Sequence, residues 1–104
     1  MSAKIKVDFN GPVLAHDKKP LFTDAPETTF SSALAGILTH QTEGPVVKMV
    51  LWCYRLGEDG FLELDESDFK TLYEIIDKSR QIAMVKGQLM LLMDRAKAES
   101  AKVE

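Results

Sequence analysis

The spacing of the apolar residues changes along this chain, and that change limits the folds open to it. In residues 4–9 apolar and polar side chains alternate, with Ile5, Val7 and Phe9 on one face, and this period of two is typical of a half-buried strand. From residue 30 onward apolar residues recur every three or four positions, as in helices that bury one face. The sequence therefore predicts an α+β fold, with an N-terminal β-hairpin plus a short extra strand packed with about four α-helices.

The N-terminal part carries two turn patterns. Asn10-Gly11-Pro12 interrupts the first strand, because Pro12 cannot donate to a ladder. Residues 13–15 and 20–22 then flank the polar residues 16–19, which predicts a β-hairpin with Pro20 at an edge or at a strand start.

The first, third and fourth helices are predicted from their N-caps or from the spacing of their apolar residues. Thr29 is the expected N-cap of the first, with Asp24 and Glu27 as a rival capping box. A turn and a short strand over residues 61–64 precede Asp65, the expected cap of the third helix, and the fourth extends over residues 80–98. Their predicted inward residues are Phe30, Leu34, Ile37 and Leu38; Phe69, Leu72, Tyr73 and Ile76; and Ile82, Val85, Leu89 and Leu92.

Residues 46–56 are open to two interpretations. Their β-branched and aromatic residues favour a strand. Their length, and the shared helical face of Val47, Val50, Leu51 and Tyr54, favour a helix. We prefer a buried helix that has Pro45 at its first position.

Length and charge limit the function classes. The 104 residues fit one domain, 1–104, with frayed ends at 1–3 and 99–104. The formal charge of −3 gives no general attraction to nucleic acid or to anionic membranes. Cys53 is the single cysteine, and the chain starts without the apolar run of a signal peptide. We therefore expect a cytoplasmic protein.

No pattern in the chain predicts catalysis, a cofactor site or a metal site. Residues 59–69 resemble the second half of a calcium-binding EF-hand loop, but the first and third ligand positions would fall on Arg55 and Gly57, which cannot ligate calcium. Cys53 with His16 or His40 lacks the spacing of a thiol enzyme and is too small a set for structural zinc. We expect a non-enzyme.

Two segments are candidate partner-binding surfaces. The apolar run over residues 89–93 covers every face of a helix, so Leu89, Met90, Leu92 and Met93 are predicted to bind a protein or a second copy. The alternative is a central helix that the other three enclose. Six acidic residues lie between 58 and 68, and a docking patch for a basic partner would use Glu58, Asp59 and Glu63. The alternative is that these acidic side chains are only solvent-exposed and that some of them stabilise a helix N-terminus through the helix dipole.

Residues 7–14 read Val-Asp-Phe-Asn-Gly-Pro-Val-Leu, and residues 17–20 read Asp-Lys-Lys-Pro. With the Thr-capped helix over 29–38 and the strand-to-helix step over 61–69, this order resembles small tailed-phage proteins of unassigned function. Those proteins have an Asp-Gly-Lys-Pro turn, and Lys18 stands here in place of the glycine. The resemblance implies a phage or prophage origin and a location in the cytoplasm of a bacterial host.

Three functions follow as hypotheses. The first is a non-enzymatic, phage-encoded interaction protein that binds a host factor or a virion component. The alternative is a small oligomeric phage protein with a structural or assembly role, as a scaffold or chaperone. The third is a nucleic-acid-binding regulator that would use Lys4, Lys6, Lys18 and Lys19, and the net negative charge argues against it.

Overall fold

The computed structural model describes residues 4–24 and 27–103. Its elements are β1 (Ile5–Asp8), α1 (Phe30–Thr39), α2 (Val46–Glu58), β2 (Phe61–Leu64), α3 (Glu66–Lys78) and α4 (Ala83–Val103). The two strands pair antiparallel, with Ile5 opposite Leu64 and Asp8 opposite Phe61. Four helices and a two-stranded sheet in the described residues confirm the predicted α+β class. The expected fraying at residues 1–3 lies outside the described residues.

The sheet buries one face, as the alternation of residues 4–9 predicts. Side chains at alternate positions of β1 and β2 are buried. β1 packs on α4, and β2 packs on α2 and α3. The core joins both strands to all four helices, and its fully buried large side chains are Phe9, Leu34, Leu62, Leu64, Leu72, Ile76, Leu89 and Met93.

Residues 9–11, just after β1, connect the sheet to the turn before β2 and to α1. The Phe9 N–H donates to the Gly60 carbonyl at 2.9 Å, and the Phe9 carbonyl accepts from the Ser31 N–H at 2.7 Å. The Gly11 carbonyl accepts from the Phe30 N–H at 2.9 Å. This segment, the strand-end junction, therefore fixes both the turn before β2 and the first turn of α1.

Ser31 extends the connection to α2. Its side chain is buried, and its hydroxyl donates to the Leu56 carbonyl at 2.8 Å. Carbonyls in the last turn of a helix have no partner within the helix. The Ser31 hydroxyl thus satisfies one of them and connects α1 to the last turn of α2.

Local capping chemistry starts α1 and α3 where the sequence predicts. The Thr29 hydroxyl accepts from the Ser32 N–H at 3.3 Å, and the Ser32 hydroxyl accepts from the Thr29 N–H at 3.2 Å. This reciprocal box replaces the rival one at Asp24 and Glu27. The Asp65 carboxylate accepts from the Asp68 N–H at 2.7 Å, which confirms the cap of α3.

The predicted hairpin is present in a short form. Leu14 and Pro20 form a single antiparallel bridge, and Lys18 in the turn has a φ of 66°. The side-chain amide of Gln88 holds the hairpin on α4, because it donates to the Leu14 carbonyl at 2.6 Å and accepts from the Leu14 N–H at 3.4 Å.

Two helix starts differ from the prediction. Pro45 is the N-cap of α2, so the first helical residue is Val46. α4 begins at Ala83 and not at Arg80, because the Ser79 backbone is extended and ends α3. Ile82 precedes α4 and is 55 % exposed, so its predicted inward position was wrong. The helix continues to Val103, past the point at which the tail was expected to fray.

Gly60→Ala should destabilise the protein by about 2 kcal/mol, because a residue with a side chain is strained at positive φ and loss of a hydrogen bond adds to the cost. Gly60 has a φ of 75°, and an added Cβ would collide with the side-chain amide of Asn10, which donates to the Asp59 carbonyl at 2.7 Å. Urea unfolding measures the change. Gly57→Ala is the matched control, since its Cβ would meet nothing within 4 Å, and alanine in a helix should add ~0.5 kcal/mol. Equal effects of both changes would contradict the role of Gly60.

Lys18→Gly should raise the free energy of unfolding by ~0.5–1 kcal/mol, because glycine removes the strain of the left-handed backbone at a smaller entropic cost. Lys19→Gly is the control at a neighbouring position, and it should destabilise or leave stability unchanged. Thermal unfolding followed by circular dichroism checks both. A lower Tm for Lys18→Gly would show that the turn is not strained by its lysine.

Candidate functional site

Helix α2 has two apolar faces. Its inner face consists of Met49, Trp52 and Leu56, which are buried. Its opposite face is exposed to solvent and carries five large apolar side chains, each 48–71 % exposed. We call these five residues the outer stripe: Val46, Val47, Val50, Leu51 and Tyr54.

The exposure of the outer stripe contradicts the predicted burial of α2. The helix is confirmed, but the prediction that it is buried on the face of Val47, Val50, Leu51 and Tyr54 was wrong. At 100° per residue, Trp52 points roughly opposite to that face. The tryptophan side chain turns toward the core, and the outer stripe is left in solvent.

A cavity of about 320 Å³ lies beside the outer stripe, between α2 and the end of α1. Its apolar lining includes Leu38, Met49 and the half-buried Cys53, and the stripe residues Val46 and Val50 form one wall. A concave apolar site next to exposed apolar side chains is the arrangement in which interface anchor residues commonly sit. The outer stripe and the adjacent cavity together therefore form an apolar surface to which a protein partner can bind.

The Lys48 cation in the first turn of α2 is held in an ion pair with α3. The Lys48 ammonium donates to Asp68 Oδ1 at 2.6 Å, and this ion pair joins α2 to α3. The hydrogen bond to Asp68, followed by the charge of that carboxylate, holds the pKa of Lys48 above its ordinary value. The Lys48 ammonium group therefore lies on the side of α2 that faces α3, and the five side chains of the outer stripe are apolar.

The acidic residues predicted to form a docking patch are divided among separate structural tasks. Glu58 is exposed in the last turn of α2. The Asp59 carboxylate accepts from the Phe61 N–H at 3.0 Å. Glu63 is exposed on β2, opposite Lys6 in the register of the sheet. Asp59 thus stabilises a turn, and all three acidic side chains are exposed to solvent, so their role as a docking patch stays a prediction.

The apolar run of α4 is also divided. Leu89 and Met93 are fully buried in the core, whereas Met90 and Leu92 are half-buried against it. Leu91 is 63 % exposed. In this fold Leu89 and Met93 have no surface to offer a partner, because β1 packs on α4 from inside the molecule. The partner-binding face predicted on α4 is reduced to partly covered side chains.

A second groove lies between α3 and α4, with a volume of about 720 Å³. Tyr73 stacks on Phe69 with ring centroids 6.0 Å apart, and its hydroxyl donates to Asp94 Oδ2 at 3.2 Å. Desolvation, followed by the charge of Asp94, raises the pKa of Tyr73. The Lys97 ammonium lies 5.3 Å from the centroid of the Phe69 ring. These side chains contact one another across the groove, and their contacts hold α3 against α4.

Within residues 4–24 and 27–103, no group of three or more His, Cys, Asp or Glu side chains could hold a metal ion. His40 Nδ1 lies 2.7 Å from the Gly36 carbonyl, so that ring closes the end of α1. Over the same described ranges, no helix combines the length and apolarity needed to cross a membrane.

The outer stripe is a surface feature that the fold does not explain, and sequence reasoning missed it by assigning the same helix to the core. The signal that could have found it was the second apolar face around Trp52. Comparisons of the chain with models of protein families, with curated proteins and with solved structures find no match.

Proposed function

We propose that this chain is a non-enzymatic, phage-encoded interaction protein that binds another protein through the outer stripe of α2. One observation carries the proposal: five large apolar side chains share one exposed face of a helix whose other face already fills the core. Contiguous exposed apolar surface of this kind is typical of protein-binding sites.

Burial of the outer stripe contributes favourable free energy to the binding of a partner. Full burial of a Val or Leu side chain contributes roughly 1.5–3 kcal/mol, so covering five side chains that are about half exposed contributes on the order of 5 kcal/mol. Micromolar binding needs about 8 kcal/mol in net free energy. The stripe can therefore form the centre of an interface, with the remainder supplied by the neighbouring cavity and a polar rim.

The resemblance of residues 7–20 to small tailed-phage proteins supports the choice of partner class. A phage-encoded protein without catalytic chemistry acts by occupying a surface on another protein. A host factor and a virion component both fit this description, and both are present in an infected bacterium.

Val47→Lys/Leu51→Lys should abolish partner binding and leave the fold intact. Both side chains are more than half exposed, so the double change should alter the free energy of unfolding by less than about 1 kcal/mol. Tagged wild-type and variant chains are used to capture proteins from lysates of infected bacteria, and the captured proteins are compared by mass spectrometry. Circular dichroism establishes that the variant is folded.

Leu91→Lys is the matched control, since Leu91 is equally exposed but lies on α4. It should capture the same proteins as the wild type. If the folded α2 variant captured the wild-type set of proteins, or if Leu91→Lys lost that set, the outer stripe would not be the contact surface.

A further inference from the structure

The strand-end junction contains the dipeptide Asn10-Gly11, whose backbone can react with its own side chain. Asn10 is the single asparagine of the chain. The backbone nitrogen that follows an asparagine can attack the side-chain carboxamide, and glycine hinders this attack least, because it has no Cβ and the most backbone freedom. Aspartate before glycine reacts in the same way, and Asp59-Gly60 is such a pair. The two pairs are in contact, since Asn10 Nδ2 donates to the Asp59 carbonyl at 2.7 Å.

Asp59-Gly60 is held at both of its reacting groups. The Asp59 carboxylate accepts from the Phe61 N–H at 3.0 Å, and the Gly60 N–H donates to the Arg55 carbonyl at 3.3 Å. Attack of the Gly60 nitrogen on the carboxylate would require both bonds to break. An ionised carboxylate is also a poorer electrophile than a carboxamide, because its negative charge repels a nucleophile. This pair therefore stays intact in the folded protein.

Asn10-Gly11 is held at one reacting group only. Its carboxamide is fixed by the bond to Asp59 and by contact with Gly60, where an added Cβ would collide with it. The Gly11 N–H supplies the nucleophile, and it donates no hydrogen bond within the part of the chain that the structure describes. Asn10 is exposed, so water reaches the reacting atoms. The position of the carboxamide therefore controls whether the pair reacts.

We infer that Asn10-Gly11 is a self-modification site whose reaction begins when the strand-end junction opens. Once the carboxamide is released, the Gly11 nitrogen attacks Cγ of Asn10. The Gly11 N–Cγ bond forms, the Cγ–Nδ2 bond breaks, and the side-chain nitrogen leaves as ammonia, after the backbone amide proton has been transferred to it through water. Water then hydrolyses the cyclic imide at either of its carbonyls and leaves aspartate or isoaspartate at position 10. The overall reaction consumes water and needs no oxidant, reductant or cofactor.

Neither product fits the closed junction. Aspartate has no N–H to donate to the Asp59 carbonyl, and it adds a negative charge close to Asp8, whose carboxylate accepts from the Asn10 N–H at 2.9 Å. Isoaspartate lengthens the main chain between Phe9 and Gly11, whose carbonyls accept from N–H groups at the start of α1. Modification therefore prevents the junction from closing again and makes its opening irreversible.

This reaction gives the folded chain a limited lifetime. Local opening of a segment costs less free energy than unfolding of the whole protein, so chains that open only at the junction are modified while the rest of the fold is intact. An irreversible step after opening makes the lifetime of the protein a matter of rate. The outer stripe of α2 takes no part in the reaction, so this inference is independent of the proposed function.

The test follows the loss of ammonia from Asn10 in the full chain at mildly alkaline pH. Proteolytic digestion and mass spectrometry measure the fraction of the peptide containing residue 10 that has exchanged NH2 for OH. The folded wild type should react at least about tenfold more slowly than the same chain unfolded in urea, because the junction is closed for most of the time. Equal rates in the two samples would overturn the inference.

Three variants test whether the junction controls the rate. Gly60→Ala displaces the Asn10 carboxamide and should speed the reaction by about two- to tenfold, the change in equilibrium that one hydrogen bond supplies. Gly57→Ala, whose Cβ would meet nothing within 4 Å, should react at the wild-type rate. Ile76→Val lowers stability in the core part of α3, outside the junction, and should also react at the wild-type rate. If Gly60→Ala gave no acceleration, or Ile76→Val gave the same acceleration, control by the junction would be refuted.

A second measurement tests whether the product blocks closure. Asn10→Asp reproduces one product and should unfold at a lower urea concentration than the wild type. Gln81→Glu makes the same change of amide to acid at an exposed residue before α4, and it should not lower that concentration. Purified isoaspartate chains should lose more stability than Asn10→Asp, because their main chain is altered as well. Modified chains as stable as the wild type would show that the junction still closes and that its opening is reversible.

Discussion

The strand-end junction is the interaction on which the rest of the fold depends. A two-stranded sheet of four-residue strands is marginal alone, and β1 and β2 are separated by more than fifty residues of chain. Phe9 brings them together, because its side chain is fully buried and its backbone bonds to both Gly60 and Ser31. Through the Ser31 hydroxyl, which donates to the Leu56 carbonyl, the same segment is also connected to the last turn of α2.

The features that the sequence predicts well are those decided within a few residues. The caps at Thr29 and Asp65 depend on side chains that reach a backbone N–H three positions away. The alternation in β1 and the spacing in α3 likewise report which side is buried, because each has one apolar face and one polar face. Lys18 in the hairpin turn has a positive φ, a conformation that glycine adopts most readily.

The features that the sequence predicts poorly are decided by long-range packing. Helix α2 is apolar on two faces, and α4 is apolar on every face over residues 89–93. The periodicity of apolar residues therefore cannot indicate which face of either helix is buried. In the structure Trp52 turns inward and Leu51 outward, and on α4 Leu89 is buried while Leu91 is exposed. The buried face of α2 packs on α1 and β2, and that of α4 packs on β1 and α3; these contacts lie far apart in the sequence, so local periodicity cannot predict them.

Helix α2 departs from local rules at several positions where α3 follows them. Helix α3 follows the dipole rule, with an aspartate cap, Glu66 in its first turn and Lys78 in its last. Helix α2 has a proline cap, an outward Glu58 at its C-terminal end and an exposed apolar stripe. Such departures tend to mark functional surfaces. The exposed stripe lowers the solubility of the isolated chain, and a protein partner that covers it would remove that cost.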